Sequence, residues 1–366
     1  MTDASAARAG ALFAAIALIM AVVPWDADPV VTVAVAGDAR PLLVALAGVA
    51  VIAFTLRRFD RLGRSAGSAV AGVASTAVAM YALAMLVVPP GGGTGSFAIE
   101  PLVVLIAGSL AVAVAYADYR VVPTGELLTN SRVVLTGSAV GAMGLFVGAL
   151  VTAIPVVLVG QLVGGVPSEV QFVLVIATFG LGLIATAIAF LWFTRRGLSY
   201  LDVRVPSLRD AGYAVGGVFA LLGVALVIAV VYAQFNVPTT ENSIERTARE
   251  EGAVLLLWAL PLAWLAIGLG EELLFRNVIQ KYFAEHLSIA AAIGVSSVIF
   301  TLVHIPAYYN PEPLAMASTL AVVFSLSLIL GATYARTENL LVPVFIHGTY
   351  NAVIFLSMYV SMTGGG

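Results

Sequence analysis

Gly270-Glu271-Glu272-Leu273-Leu274-Phe275-Arg276 is the stretch on which the reading of this chain turns. It sets two adjacent carboxylates and an arginine between apolar runs: Ala253 to Leu269 carries no ionisable side chain, and the run continues through Asn277 to Gln280 before Lys281. Even the mildest scales put a charge near the bilayer centre at about 2.5–3.5 kcal/mol, so each acid needs a partner or a task. On a helix Glu272 and Arg276, four apart, share a face and can form an ion pair. Glu271 is turned away from that pair by about 100° and is the acid left over, presented to the interior of a bundle. The plain alternative is a pair of glutamates at a helix end, among headgroups.

Composition makes the membrane setting explicit. Of 366 residues, 61% are hydrophobic and 10% charged, against about 25% charged in soluble domains, and the mean hydropathy is +1.05. The expectation is an all-α polytopic transmembrane bundle. A spanning helix needs about 20 apolar residues, and about eleven segments qualify: 9–24, 41–56, 66–88, 98–116, 134–162, 172–194, 211–234, 252–275, 288–306, 313–334 and 340–360. A formal net charge of −3 gives no basic signal for nucleic acid. The chain has no cysteine, which excludes disulfides, thiolate metal sites and thiol nucleophiles.

Charge placement orients the bundle, because Lys and Arg in short loops stay cytoplasmic. Arg57, Arg58, Arg61 and Arg64 share one loop, Arg120 and Arg132 the next but one, and Arg195, Arg196, Arg204 and Arg209 the next but one again, with Lys281 and Arg336 in the same alternating set. The intervening loops carry Asp26, Asp28, Glu169 and Glu312, and Pro89-Pro90-Gly91-Gly92-Gly93 and Gly37-Asp38-Ala39-Arg40 read as breaks between helices. This implies an integral protein of the cytoplasmic membrane with its N-terminus in and C-terminus out. Residues 1–235, rich in Ala, Val, Leu and Gly, read as a scaffold of membrane helices. Beyond the polar stretch 235–251, residues 250–360 read as the catalytic core.

Two of the three histidines lie in the last apolar segments. His304 closes Phe300-Thr301-Leu302-Val303-His304, and His347 opens His347-Gly348-Thr349-Tyr350-Asn351, with Asn351 one helical turn along the same face. His286 reads as an interfacial side chain, Phe300 as packing, and Tyr308, Tyr309 and Tyr350 as an aromatic interface belt. Depth poses a difficulty. At 1.5 Å per residue His304 lies about 24 Å in from Ser288, whereas His347 lies about 10 Å in from Leu340, so the two meet only if tilt, a later helix start or an interruption near Pro306 intervenes.

Glu271-Glu272-x-x-x-Arg276, Phe300-x-x-x-His304 and His347-x-x-x-Asn351, in that order on successive helices, resemble the CPBP family of CAAX prenyl endopeptidases and bacteriocin-processing or immunity-type proteins, also called the Abi family. The resemblance covers roughly 250–360. It implies a glutamate-dependent intramembrane endopeptidase, with Glu271 as general base, His304 holding the same water, His347 and Asn351 as oxyanion donors, and Glu272 with Arg276 locking the helix behind them. It implies a peptide or protein substrate at the bilayer, prenylated or membrane-anchored or neither, and no cofactor. Three other readings stand beside it: zinc held by Glu271, His304 and His347, a non-catalytic immunity or partner-binding membrane protein, and a transporter.

Overall fold

A computed structural model of the chain describes residues 5–22, 32–33, 37–38, 40–87, 99–163, 167–310 and 312–364. Asp26, Asp28, Ala39 and the turn at 89–93 lie outside them. The fold is all-α. Among the described residues eight helices are long and apolar enough to cross a membrane and three more are shorter apolar helices, matching the eleven segments expected. The only pairing of extended chain among the described residues is a two-residue antiparallel bridge, Thr32–Val33 with Gly37–Asp38.

The chain divides into two compact units, residues 1–131 with Asn310–Ala317, and Arg132–Tyr309 with Ser318–Gly366. The first is built on α1 (Ser5–Val22), α2 (Arg40–Arg58), α3 (Arg64–Val87) and α4 (Ile99–Tyr119). Its two core clusters are mostly alanine, with Phe54 and Leu43 as rare large members; small side chains let helices approach closely where lipid supplies no hydrophobic drive.

The second unit holds most of α5 (Thr124–Val163), then α6 (Ser168–Phe193), α7 (Leu208–Gln234), α8 (Ser243–Glu251), α9 (Val254–Ala284), α10 (Ile289–Val303), most of α11 (Pro313–Thr337) and α12 (Leu341–Thr363). Its main core is made of large side chains, among them Leu274, Phe275, Ile279, Phe283 and Phe300. Two features depart from the sequence reading. The polar stretch 235–251 contains a helix, α8, closed by a reciprocal cap in which the Asn242 side chain accepts from Glu245 N and the Glu245 carboxylate accepts from Asn242 N. And α9 runs to Ala284, so Lys281 belongs to its last turn rather than to a loop; its ammonium reaches Asp202 at 2.6 Å and the Tyr200 carbonyl at 2.8 Å.

Hydrogen bonds mark the two ends of this unit. At one end the 194–207 segment is stitched to the ends of its neighbours: Arg196 pairs with Glu285, Arg204 donates to Asp210 and to the Thr337 carbonyl at 2.6 and 2.7 Å, and Leu340 N donates to Asp202 O at 2.7 Å. At the other end Thr240 N donates to Thr319 Oγ1 at 2.9 Å and Arg246 to the Tyr309 carbonyl at 3.3 Å.

Candidate active site

Helix α9 is irregular where it carries the acids. Turns with i→i+5 bonding, Ala263–Gly268 and Leu273–Gln280, flank the ordinary turn Leu269–Glu272. Each such turn widens the helix and rotates the faces of the residues beyond it, and these turns recur at functional sites. Pro261, which has no backbone N–H, sits just before the first. At the height of the acids α9 meets α6 backbone to backbone. A Cβ on Gly270 would lie 2.9 Å from the Gly180 carbonyl oxygen, and one on Gly180 would lie 2.7 Å from that of Ala266, so glycine is required at both positions. Gly348 gives α12 the same closeness, since a Cβ there would fall 2.3 Å from the Trp264 ring; that indole donates to Thr349 Oγ1 at 3.2 Å.

Glu272 and Arg276 are fully buried, with Arg276 Nε 3.0 Å from Glu272 Oε2. Arg276 also donates to Ser327 Oγ at 3.0 Å and lays its guanidinium over the Phe300 ring, 4.7 Å from the centroid. The other oxygen of Glu272 is 2.8 Å from His347 Nδ1. The spacing of Glu272 to Arg276 gives no hint of that bond. Glu272 therefore joins the buried arginine to an imidazole of the site.

Glu271 points elsewhere. Its Oε2 is buried and has no hydrogen-bond partner; it lies 3.6 Å from His304 Nε2 and 4.0 Å from His347 Nε2. The structure brings the two histidines to one carboxylate oxygen although α10 keeps the length that posed the depth difficulty. Helix α10 has 15 residues, about 22 Å at 1.5 Å per residue, and ends at Val303. His304 is its C-cap and the chain turns there, with Ala307 N and Tyr308 N both donating to His304 O. His304 Nδ1 is 2.6 Å from the Phe300 carbonyl. A carbonyl only accepts, so Nδ1 carries the proton and, in the neutral ring, Nε2 offers its lone pair towards Glu271.

All four residues named from sequence, Glu271, His304, His347 and Asn351, line one cavity of about 600 Å³. Its remaining lining is largely apolar and comes in good part from α5 and α6, including Leu145, Val156, Ile176 and Phe179. Tyr308, expected in an interface belt, is instead part of the wall, its ring stacked at 6.2 Å on His304. Phe300 packs, as expected, but between functional groups: Arg276 on its face, His304 at 4.4 Å and His347 at 6.2 Å. His286, just past the end of α9, is exposed, its Nδ1 3.3 Å from the carbonyl of Tyr282 in the last turn of that helix. Among the described residues no group of three or more His, Asp or Glu side chains is arranged to hold a metal ion.

Comparison with known proteins finds a likeness over the segment that carries these residues. Residues 253–353 match the family model of Rce1-like proteins, described as type II CAAX prenyl endopeptidase Rce1-like. The match spans all three motifs, and the segment that bears them is accordingly recognised as CPBP/CAAX-protease-like, which supports a CAAX-protease-like intramembrane endopeptidase. No curated protein and no solved structure matches the chain.

Proposed function

We propose that the protein hydrolyses a peptide bond within the membrane using a water activated by Glu271 and His304, with residues 250–360 as the catalytic part and the helices of 1–235 as scaffold and cavity wall. The observation that carries this reading is the buried Glu271 Oε2, without a hydrogen-bond partner, set beside two imidazole Nε2 atoms at 3.6 and 4.0 Å in the wall of one cavity. Glu271 takes a proton as the water oxygen attacks the carbonyl carbon, and His304 Nε2 accepts from the same water and fixes its direction. The C=O bond opens to an oxyanion, to which Asn351 and His347 Nε2 donate. Glu271 then returns its proton to the leaving nitrogen as the C–N bond breaks, which closes the balance with water as the only co-reactant.

The charge arithmetic supports the donor role of His347. With Nδ1 committed to Glu272, Nε2 can donate only if the ring is an imidazolium. In that state Arg276 and His347 offset Glu271 and Glu272, and the buried cluster is neutral overall, the least costly arrangement inside a bilayer. Glu272 and Arg276 act through His347 and the α9 backbone, as positioning residues.

The substrate we propose is a membrane-anchored polypeptide whose apolar part lies along the α5 and α6 wall; the name of the matched family adds a prenylated tail as one member of the set to test. The test is cleavage by purified protein in detergent of a panel of farnesylated and unmodified peptides, with and without a zinc chelator. We expect cleavage of at least one peptide, unchanged by chelation. Loss of turnover on chelation with recovery on added zinc would establish the zinc reading at Glu271, His304 and His347. Cleavage of none would favour a partner-binding role for the fold.

A further inference from the structure

The cavity has a direction that the family resemblance does not supply. Its walls run from the middle of the unit towards one end: residues 145–156 come from the C-terminal half of α5, and 175–183, 266–275 and 347–355 from the middle of α6, α9 and α12. The residues outside the spanning helices that line it are Asn242, the start of α8 at Ser243 and Ile244, and His304 with the turn Pro306–Tyr308. They belong to the end marked by the Thr240–Thr319 and Arg246–Tyr309 bonds. None of the lining residues comes from 194–207, 285–288 or 336–340, which form the opposite end.

The two ends differ sharply in charge. Within this unit, the end away from the cavity carries Arg132, the four arginines of 195–209, Lys281 and Arg336, seven cations, against four carboxylates, Asp202, Asp210, Glu285 and Glu338. The cavity end carries two cations, Arg246 and Arg249, against five carboxylates, Glu169 and the four of 241–251. One of those cations, Arg249, is already paired with Glu241. Lys and Arg close to membrane helix ends are retained on the cytoplasmic side, and carboxylates contribute little to that choice; seven cations against two is a decisive bias.

We infer that the cavity opens on the non-cytoplasmic side of the membrane, and that its substrate is an exported or membrane-anchored polypeptide presented from that side rather than a cytoplasmic tail. The inference rests on the proteolytic reading for its substrate but not for its geometry. The excess of carboxylates at that end, Glu169, Glu250 and Glu251 among them, fits it to segments that carry Lys or Arg outside the apolar stretch.

Because the chain has no cysteine, single cysteines report each end cleanly. Glu250→Cys and Ser199→Cys both replace exposed residues, one at the cavity end and one at the arginine end. In intact expressing cells, a membrane-impermeant maleimide should label Glu250→Cys at least tenfold more than Ser199→Cys, and permeabilisation should equalise them. The reverse pattern overturns the inference whatever the enzyme does. The second arm takes a peptide that detergent-solubilised protein cleaves, coupled to a sulfonated impermeant dye, and adds it to right-side-out and to inverted membrane vesicles. Cleavage confined to right-side-out vesicles is expected, and cleavage confined to inverted ones overturns the assigned side. If solubilised protein cleaves nothing, the proteolytic reading and the substrate fall together, while the labelling still decides the orientation of the cavity.

Discussion

Two buried arginine–carboxylate pairs, one in each unit, differ in whether they are closed. In the four-helix unit Arg57 donates from Nε and Nη2 to the two oxygens of Asp118 at 3.0 and 3.3 Å and from Nη1 to Asp60 at 3.2 Å, while Ser68 Oγ donates to Asp118 at 2.7 Å. Every guanidinium nitrogen is engaged. In the second unit Arg276 holds Glu272 and Ser327, but its Nη1 has no partner, and Glu272 spends its other oxygen on His347. A further carboxylate, Glu271, stands beside the pair with Oε2 unpartnered. A saturated pair reads as structure, because nothing in it is left to meet a ligand. An unsaturated cluster in a low-dielectric interior is costly and is retained where its open valences are used.

If that contrast is sound, substitutions should separate the two clusters by readout. The largest effects belong to the open one. His304→Ala should lower kcat by about 10²–10⁴-fold and Asn351→Ala by about 10²–10³-fold, each with little change in detergent unfolding temperature. Equal losses of activity and of folded protein would erase the distinction. Next comes the closed pair. Arg57→Leu strands Asp118 and should cost about 3–5 kcal/mol of stability, with turnover per folded molecule unchanged; reduced kcat in the folded fraction would assign the four-helix unit a part in catalysis.

The smallest effect expected is at the arginine end, where Glu285 is part-exposed and its carboxyl is held below the ordinary glutamate range chiefly by the hydrogen bond from Arg196. A depressed folded value means stabilisation above the unfolded-state pKa that disappears as pH falls through the folded one. Glu285→Gln should therefore cost no more than about 1 kcal/mol near neutrality and nothing at a pH below the depressed value. A difference that persists in strong acid would show that packing, not charge, holds the 194–207 segment.

The eleven apolar segments and the three motifs are legible in the sequence because both depend on composition and short spacing. Depth is not, since a periodicity reports a face and not a height: nothing in the residues places His304 and His347 within 3.6 and 4.0 Å of one Glu271 oxygen. Nor do they give the extent of α9. Turns of i→i+5 bonding carry no residue signature, and Lys281 resembles a loop cation because its partner Asp202 is far away in sequence. The bond from His347 to Glu272, across 75 residues, and the cavity wall from α5 and α6 are long-range packing, for which a single chain shows no pattern. Tyr308 escapes for the same reason, an aromatic near a helix end being the usual mark of an interface.

The central claim is that, of two adjacent glutamates, Glu271 does the chemistry and Glu272 positions the residues that assist it. Side-by-side kinetics of Glu271→Gln and Glu272→Gln on one peptide, with detergent unfolding of both, test it directly. Glu271→Gln should keep the unfolding temperature of the parent and lose at least about 10³-fold in kcat. Glu272→Gln leaves Arg276 without its charge partner, so it should unfold earlier and retain measurable turnover in the fraction that stays folded. A stable Glu271→Gln with more than a few per cent of parental activity, or a stable and inactive Glu272→Gln, would contradict the account.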